Sequence, residues 1–168
     1  MAFNPHERTE QYIRNRQSRA DLVAWLLETR WTYQGTIPVC PGAPLSLIQE
    51  QALTRAWYSG FCRSIAGNGW YRTPKETWPQ IHSFFEGGPK SGALHAHMLI
   101  WLPDYLQPLF EEVADDVWGS LYHNQTCDRR LHLQAIGPSG DDQRAAIQYA
   151  TKNAAAPENW VAWMILPQ

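Results

Sequence analysis

Cysteine is scarce in this chain. Cys40, Cys62 and Cys127 are odd in number and far apart, and no C-x-x-C pair occurs, so neither a disulfide framework nor a zinc ribbon is indicated. Reduced, buried thiols are expected instead. Long apolar runs are also missing, which argues against a membrane span, and the opening residues, MAFNPHERTEQ, lack the apolar core of a secretory signal. The expected compartment is therefore the cytoplasm. No G-x-x-x-x-G-K-[ST] loop is present, so helicase activity is not expected. Repeats, low-complexity tracts and Gly/Ser linkers are absent as well.

Charge is sparse, with 18% charged residues and a formal net charge of −2. Taken as a whole, that balance opposes a nucleic-acid partner, because phosphate binding draws on Lys and Arg. The distribution changes the picture. Asp104, Glu111, Glu112, Asp115 and Asp116 fall in a stretch with no Lys or Arg, so the rest of the chain is mildly basic. A few contacts with a short single strand suit this charge better than coating of a duplex.

What the chain does have is 44% hydrophobic residues in 168, enough for one core. The apolar pairs Tyr12/Ile13, Leu22/Val23 and Leu26/Leu27 predict a helix over 9–29. Aromatic and β-branched residues in WTYQGTIPV predict a strand over 31–39, ended by CPGAP. Ser46 and Gln49 form a capping-box pattern ahead of Leu53, Trp57, Phe61 and Ile65, a helix that stops at Gly67-Asn68-Gly69. QIHSFFE and ALHAHMLIWL read as strands over 80–86 and 93–102, paired as a hairpin through GGPKSG. An acidic helix over 106–121, a strand over 130–136 and a helix over 141–155 capped by Asp141 follow. The apolar tail, ENWVAWMILPQ, is either an edge strand or the start of a further element. The expected fold is α+β, an antiparallel sheet covered largely on one face, with flanking helices.

The sharpest chemical feature is His95 and His97, which flank one small residue within a strand. Alternation points both imidazoles to the same face, close enough to share a cation. Glu86 ends the preceding strand, where hairpin pairing would bring its carboxylate alongside. Two imidazoles and a carboxylate leave positions open for water or a phosphate oxygen, as catalytic metal sites do. Tyr149 and Lys152, three apart on the last helix, share a face. A phenol attacks only when its electrophile is polarised or a nearby charge favours phenolate, and Lys152 could stabilise that charge.

A strand-embedded His-hydrophobic-His, a Glu nine residues before it and a downstream Tyr-x-x-Lys helix resemble the HUH endonucleases, in particular the rolling-circle replication initiators of plasmids, phages and viruses. The resemblance runs from about Trp31 to Asn153 and implies a sheet of the RNA-recognition-motif, ferredoxin-like type. It divides the chain into an amino-terminal helical extension, 1–30, and one endonuclease domain, 31–168. It implies Glu86, His95 and His97 as ligands of Mn²⁺ or Mg²⁺, Tyr149 as nucleophile and Lys152 as its supporting base or metal-water partner. It further implies nicking and joining of single-stranded DNA at an origin, with a host helicase as a possible partner and no membrane. The tyrosine follows the histidines, as in replication initiators and one group of small transposases, and Ala145 and Asn153 at four residues either side leave a single tyrosine. The family's first motif is answered only by Thr32 and Thr36.

Two other readings stand beside this one: a noncatalytic single-strand-binding module and a small single-tyrosine HUH transposase. Among the 9 tryptophans, Trp70 and Trp78, flanking Arg72 and Lys75, are the candidates for touching DNA, while Trp57 belongs to a buried stripe. Arg14, Arg16 and Arg19 either meet phosphates or form a solvated face. His123, Cys127 and His132 have only loosely zinc-like spacing.

Overall fold

Because side chains alternate along a strand, one sheet can carry two unlike surfaces, and the strands of this chain do so. A computed structural model describes residues 18–37, 46–87, 94–121, 131–152 and 162–166. Its elements are α1 (18–26), β1 (Tyr33–Ile37), α2 (Leu47–Ala66), β2 (Gln80–Gly87), β3 (Leu94–Trp101), α3 (Gln107–Leu121), β4 (His132–Ala135), α4 (Gly140–Ala150) and β5 (Ala162–Leu166). The CPGAP loop, the GGPKSG turn apart from its first glycine, Arg14, Arg16, Cys40, His123 and Cys127 lie outside the described residues.

The expected α+β architecture is present. Five strands run in the order β4-β1-β3-β2-β5, each antiparallel to its neighbours. The segment β1-α2-β2-β3-α3-β4 has ferredoxin-like connectivity, and β5 extends the sheet beyond β2, so the apolar tail forms an edge strand.

One face is built for stability. Ile81 and Phe85 of β2 and Met98 and Ile100 of β3 meet the aromatic side chains of α2 and α3 in one buried cluster. Trp57, Phe61, Phe110 and Trp118 are each at most 1% exposed. The Trp57 indole N–H donates to the Ala114 carbonyl at 3.0 Å, tying α2 to α3. The two helices approach closely because residue 60 is glycine; a Cβ there would lie 2.7 Å from Val117 Cγ1. Helix α2 begins with the capping box read from Ser46 and Gln49 and ends at Gly67, whose φ of 75° lies in the left-handed region. Cys62 is buried in this cluster, as its type suggested.

The other face is covered more than expected. Phe84, Leu99 and Trp101 project there and need apolar cover, which α1 and α4 supply through Val23, Leu26, Ala146 and Ile147. Gln143 of α4, 7% exposed, joins the layers. Its carbonyl accepts from the Trp31 backbone N–H at 2.9 Å, and its amide donates to the carbonyls of Trp31 and Gly137 at 2.9 and 3.1 Å. Arg19 of α1 donates to the Gln148 carbonyl at 3.2 Å. Helix α4 is thereby seated over β3, with its last turn beside His97. Among the described residues, no helix is long and apolar enough to cross a membrane.

Candidate functional site

Strand pairing assembles the site. The β2–β3 register places Glu86 directly opposite His95, and Phe84 opposite His97, so Glu86 meets one histidine across the ladder and the other on the diagonal. Glu86 Oε1 lies 2.5 Å from His95 Nε2 and 3.0 Å from His97 Nε2. Among the described residues, no other group of three His, Cys, Asp or Glu side chains brings its donor atoms within 4.8 Å of one another. Ligand atoms sharing an ion at about 2.1 Å stand roughly 3 Å apart, and the three donors, all within 4.8 Å of one another, need only small side-chain shifts to reach such spacing.

Burial gives the cluster its electrostatic character. Glu86 is 5% exposed and His97 2%. A carboxylate so placed needs compensation, and besides the imidazoles it has the Lys152 ammonium at 3.5 Å. Burial above all, then the nearby Lys152 charge, holds the His97 imidazole below its usual value, against the pull of Glu86. Neutral His97 is therefore favoured, the form that can offer a lone pair to a cation. Thr36, opposite His97 on β1, has its hydroxyl 3.3 Å from His97 Nδ1. A hydroxyl can donate or accept, so Thr36 serves either tautomer: Nε2–H donating to Glu86, or Nδ1–H donating to Thr36 with Nε2 free for a metal.

Helix α4 brings the phenol. Its N-cap is Ser139, whose hydroxyl accepts from the Asp142 backbone N–H; the sequence reading assigned this cap to Asp141, which instead occupies the first turn. The helix also ends sooner than expected, at Ala150, so Lys152 stands in the turn beyond it. The Lys152 N–H donates to the Tyr149 carbonyl at 3.3 Å, and this turn carries the ammonium to 4.4 Å from the Tyr149 ring centroid. The Tyr149 ring packs edgewise on His97, centroids 4.9 Å apart at 71°, and is 51% exposed. A half-open phenol, a lysine and a His-His-Glu cluster thus meet at one place.

The residues suggested as DNA contacts are not brought there. Trp70 packs against the α2–α3 cluster on the other face, edge-on to Tyr58 at 5.8 Å and Trp78 at 4.8 Å. Trp78 is buried and donates to Thr73 Oγ1 at 2.7 Å. Arg72 and Lys75 are exposed in the short 3₁₀ turns Trp70–Arg72 and Lys75–Thr77. Sequence reasoning missed the hydroxyl of Thr36 as the partner of His97; the signal was the alternation that puts Thr36 on the histidine face of a neighbouring strand.

No family model matches the chain, and no curated protein matches it. Two solved structures are similar. One is the hypothetical protein ORF119 from Sulfolobus islandicus rod-shaped virus 1, at 14% identity and a TM-score of 0.43, covering 80% of this chain and 92% of that one. The other is the N-terminal nuclease domain of minute virus of mice non-structural protein-1, described with Zn²⁺ coordination in its active-site pocket, at 11% identity and a TM-score of 0.33, covering 88% of this chain and 71% of that one.

Proposed function

We propose that the chain is a single-tyrosine HUH endonuclease that nicks and rejoins single-stranded DNA at an origin, initiating rolling-circle replication of a plasmid, phage or virus. The observation that carries this reading is the convergence of two imidazoles and a lysine on one oxygen of a buried glutamate, with a half-exposed tyrosine packed on the His97 imidazole.

Glu86, His95 and His97 fit a divalent cation: their donors lie within 4.8 Å of one another, and the chemistry of two nitrogens and one carboxylate oxygen leaves further positions open. A bound Mn²⁺ or Mg²⁺ would supply Lewis-acid polarisation of a phosphodiester. The chain's own residues carry the rest. The Tyr149 phenol releases its proton to solvent as its oxygen attacks phosphorus, forming an O–P bond as the bond to the 3′ oxygen breaks, and the departing 3′ oxygen takes up a proton from solvent. Lys152, beside the ring, places positive charge where the phenolate forms. The products are a 5′-phosphotyrosine and a free 3′-hydroxyl. Attack by a hydroxyl end on the adduct reverses the exchange, so joining needs no nucleotide cofactor. Unwinding falls to a helicase of the host.

Incubation with Mn²⁺ and a randomised single-stranded oligonucleotide pool is expected to give a covalent adduct on a denaturing gel. Tyr149→Phe and chelation should each remove it. Adduct from the phenylalanine variant would displace Tyr149 as nucleophile. Pool binding without adduct from the wild-type chain would favour the noncatalytic module.

A further inference from the structure

On the same face as His97, a groove of about 690 Å³ runs between α4 and the β1–β4 edge of the sheet. Its floor includes Gln34 and Thr36 from β1 and Gln134 from β4; Ala145 and Tyr149 of α4 form part of its wall. The groove is continuous with the candidate site, since Thr36 reaches His97 and Tyr149 packs on it.

The floor is shaped for hydrogen bonding. Gln34 and Gln134 lie opposite each other in the β1–β4 ladder, and the Gln34 amide N–H donates to Gln134 Oε1 at 2.7 Å. Gln34 Oε1 is left buried with no hydrogen-bond partner. Turning both amides over would only exchange which polar atom of Gln34 is unpaired, so the pair offers a vacant hydrogen-bonding position in either orientation. Leaving such an atom buried is costly, and a ligand that satisfies it gains accordingly.

Charge decides what kind of group belongs there. Among the described residues that line the groove there is no Lys or Arg, and Asp142 is one of them. A phosphate is disfavoured in that setting, whereas a flat neutral ring with polar edges is not. The positive charge lies at the Tyr149 end, with Lys152.

Resting on the nicking reading above, we propose that this groove receives one unpaired base next to the scissile phosphate and that the Gln34–Gln134 amide pair reads its edge. Side-chain amides read bases in this way through paired donor and acceptor contacts. The sugar-phosphate backbone stays at the Lys152 end while the base enters over β1 and β4. The groove is thus a specificity site that adjoins the bond-breaking groups at Tyr149.

The test is selection from a randomised single-stranded DNA pool in EDTA, where no cleavage intervenes. Wild-type chain is compared with Gln134→Ala, which alters an exposed side chain, and with Ala145→Leu, which fills the groove from the helix side. Wild type should enrich one base at one position. Gln134→Ala should weaken that preference by between about five- and a hundredfold, and Ala145→Leu should remove it, with other positions unchanged in both. Identical pools from all three proteins, a loss spread evenly over all positions, or no positional preference in wild type would overturn the assignment. Mapping the wild-type adduct with Mn²⁺ keeps the two readings apart. Adduct formation with pools unaffected by either variant overturns the groove and leaves nicking intact. A selected base lost in both variants, with no adduct, overturns nicking and retains the groove as a base-binding site.

Discussion

Adding Mn²⁺ should raise the melting temperature of the wild-type chain, and His97→Ala should nearly abolish the rise. Glu86 Oε1 is held by His95, His97 and Lys152 at 2.5, 3.0 and 3.5 Å, so the buried carboxylate is already compensated by the chain's own groups. A cation binding the folded chain alone adds to this by mass action, by about 2.7 kcal/mol at a hundredfold excess over its dissociation constant. For a domain of this length each kcal/mol is worth about 2–4 °C, so a rise of roughly 5–11 °C is expected. Replacing the residue behind a ligand weakens metal sites by about ten- to a hundredfold, and removing a ligand should weaken them at least as much. A hundredfold loss leaves about 0.4 kcal/mol at the same Mn²⁺ concentration, or roughly 1 °C. Scanning calorimetry of each protein, with and without Mn²⁺ and against its own EDTA reference, makes the comparison independent of any change in metal-free stability. Mg²⁺, which prefers oxygen donors, should need higher concentrations for the same effect. Equal shifts in wild type and His97→Ala, or no shift in wild type, would refute the assignment of these three residues as ligands.

Three further outcomes are expected. Thr36→Val removes the hydroxyl 3.3 Å from His97 Nδ1 and should lower Mn²⁺ affinity by about ten- to a hundredfold in calorimetric titration; unchanged affinity would show that this contact does not orient the ring. Lys152→Met should slow adduct formation yet tighten Mn²⁺ binding, because a competing positive charge is removed; with 38% of the lysine side chain exposed, the gain should stay below about tenfold, and weaker binding would contradict the competition. His82, ring-packed between Trp25 and Trp31, has its pKa pulled from 6.5 down to about 4 by burial. Between those values the unfolded chain binds more protons, so this contribution is fully present above pH 6.5 and is lost as pH falls towards 4. It amounts to about 3 kcal/mol. Urea unfolding across that range should show a shallower pH dependence in His82→Leu than in wild type, and parallel curves would refute the assignment.

Much of the site's placement was legible because it rests on short-range rules. Alternation alone set His95 and His97 on one face, and the hairpin brought Glu86 beside them, since a short connection between antiparallel strands leaves few registers in which both keep their apolar sides in the core. The capping box of α2 was equally local. What was not legible depends on partners distant in sequence. Asp141 and Ser139 are both good caps, and the helix that starts after Ser139 is the one that carries Gln143 onto Trp31, over a hundred residues away. The tryptophans show the same limit. Trp70 and Trp78 flank a turn-rich, basic segment, as exposed stacking platforms would, yet Trp78 packs on Trp70 and Trp70 on Tyr58 because the turns fold back on α2.

The position of Tyr149 rests on two layers of the fold at once. Its helix is fixed by Ala146, Ile147 and Ala150, which pack against Phe84 and Leu99 on the strands that also carry Glu86 and His97. Phe84 stands directly opposite His97 in the ladder, and Leu99 is the next residue on the same side of β3. The apolar seat of the helix and the polar cluster are therefore consecutive positions on the same strands, so a register that buries one also presents the other. Helix α1 adds to the seat through Val23 and Leu26 and through the Arg19 bond to Gln148, the residue beside the tyrosine. The amino-terminal helix, no part of the family resemblance, thus acts on the site indirectly, by holding in place the element that presents the phenol.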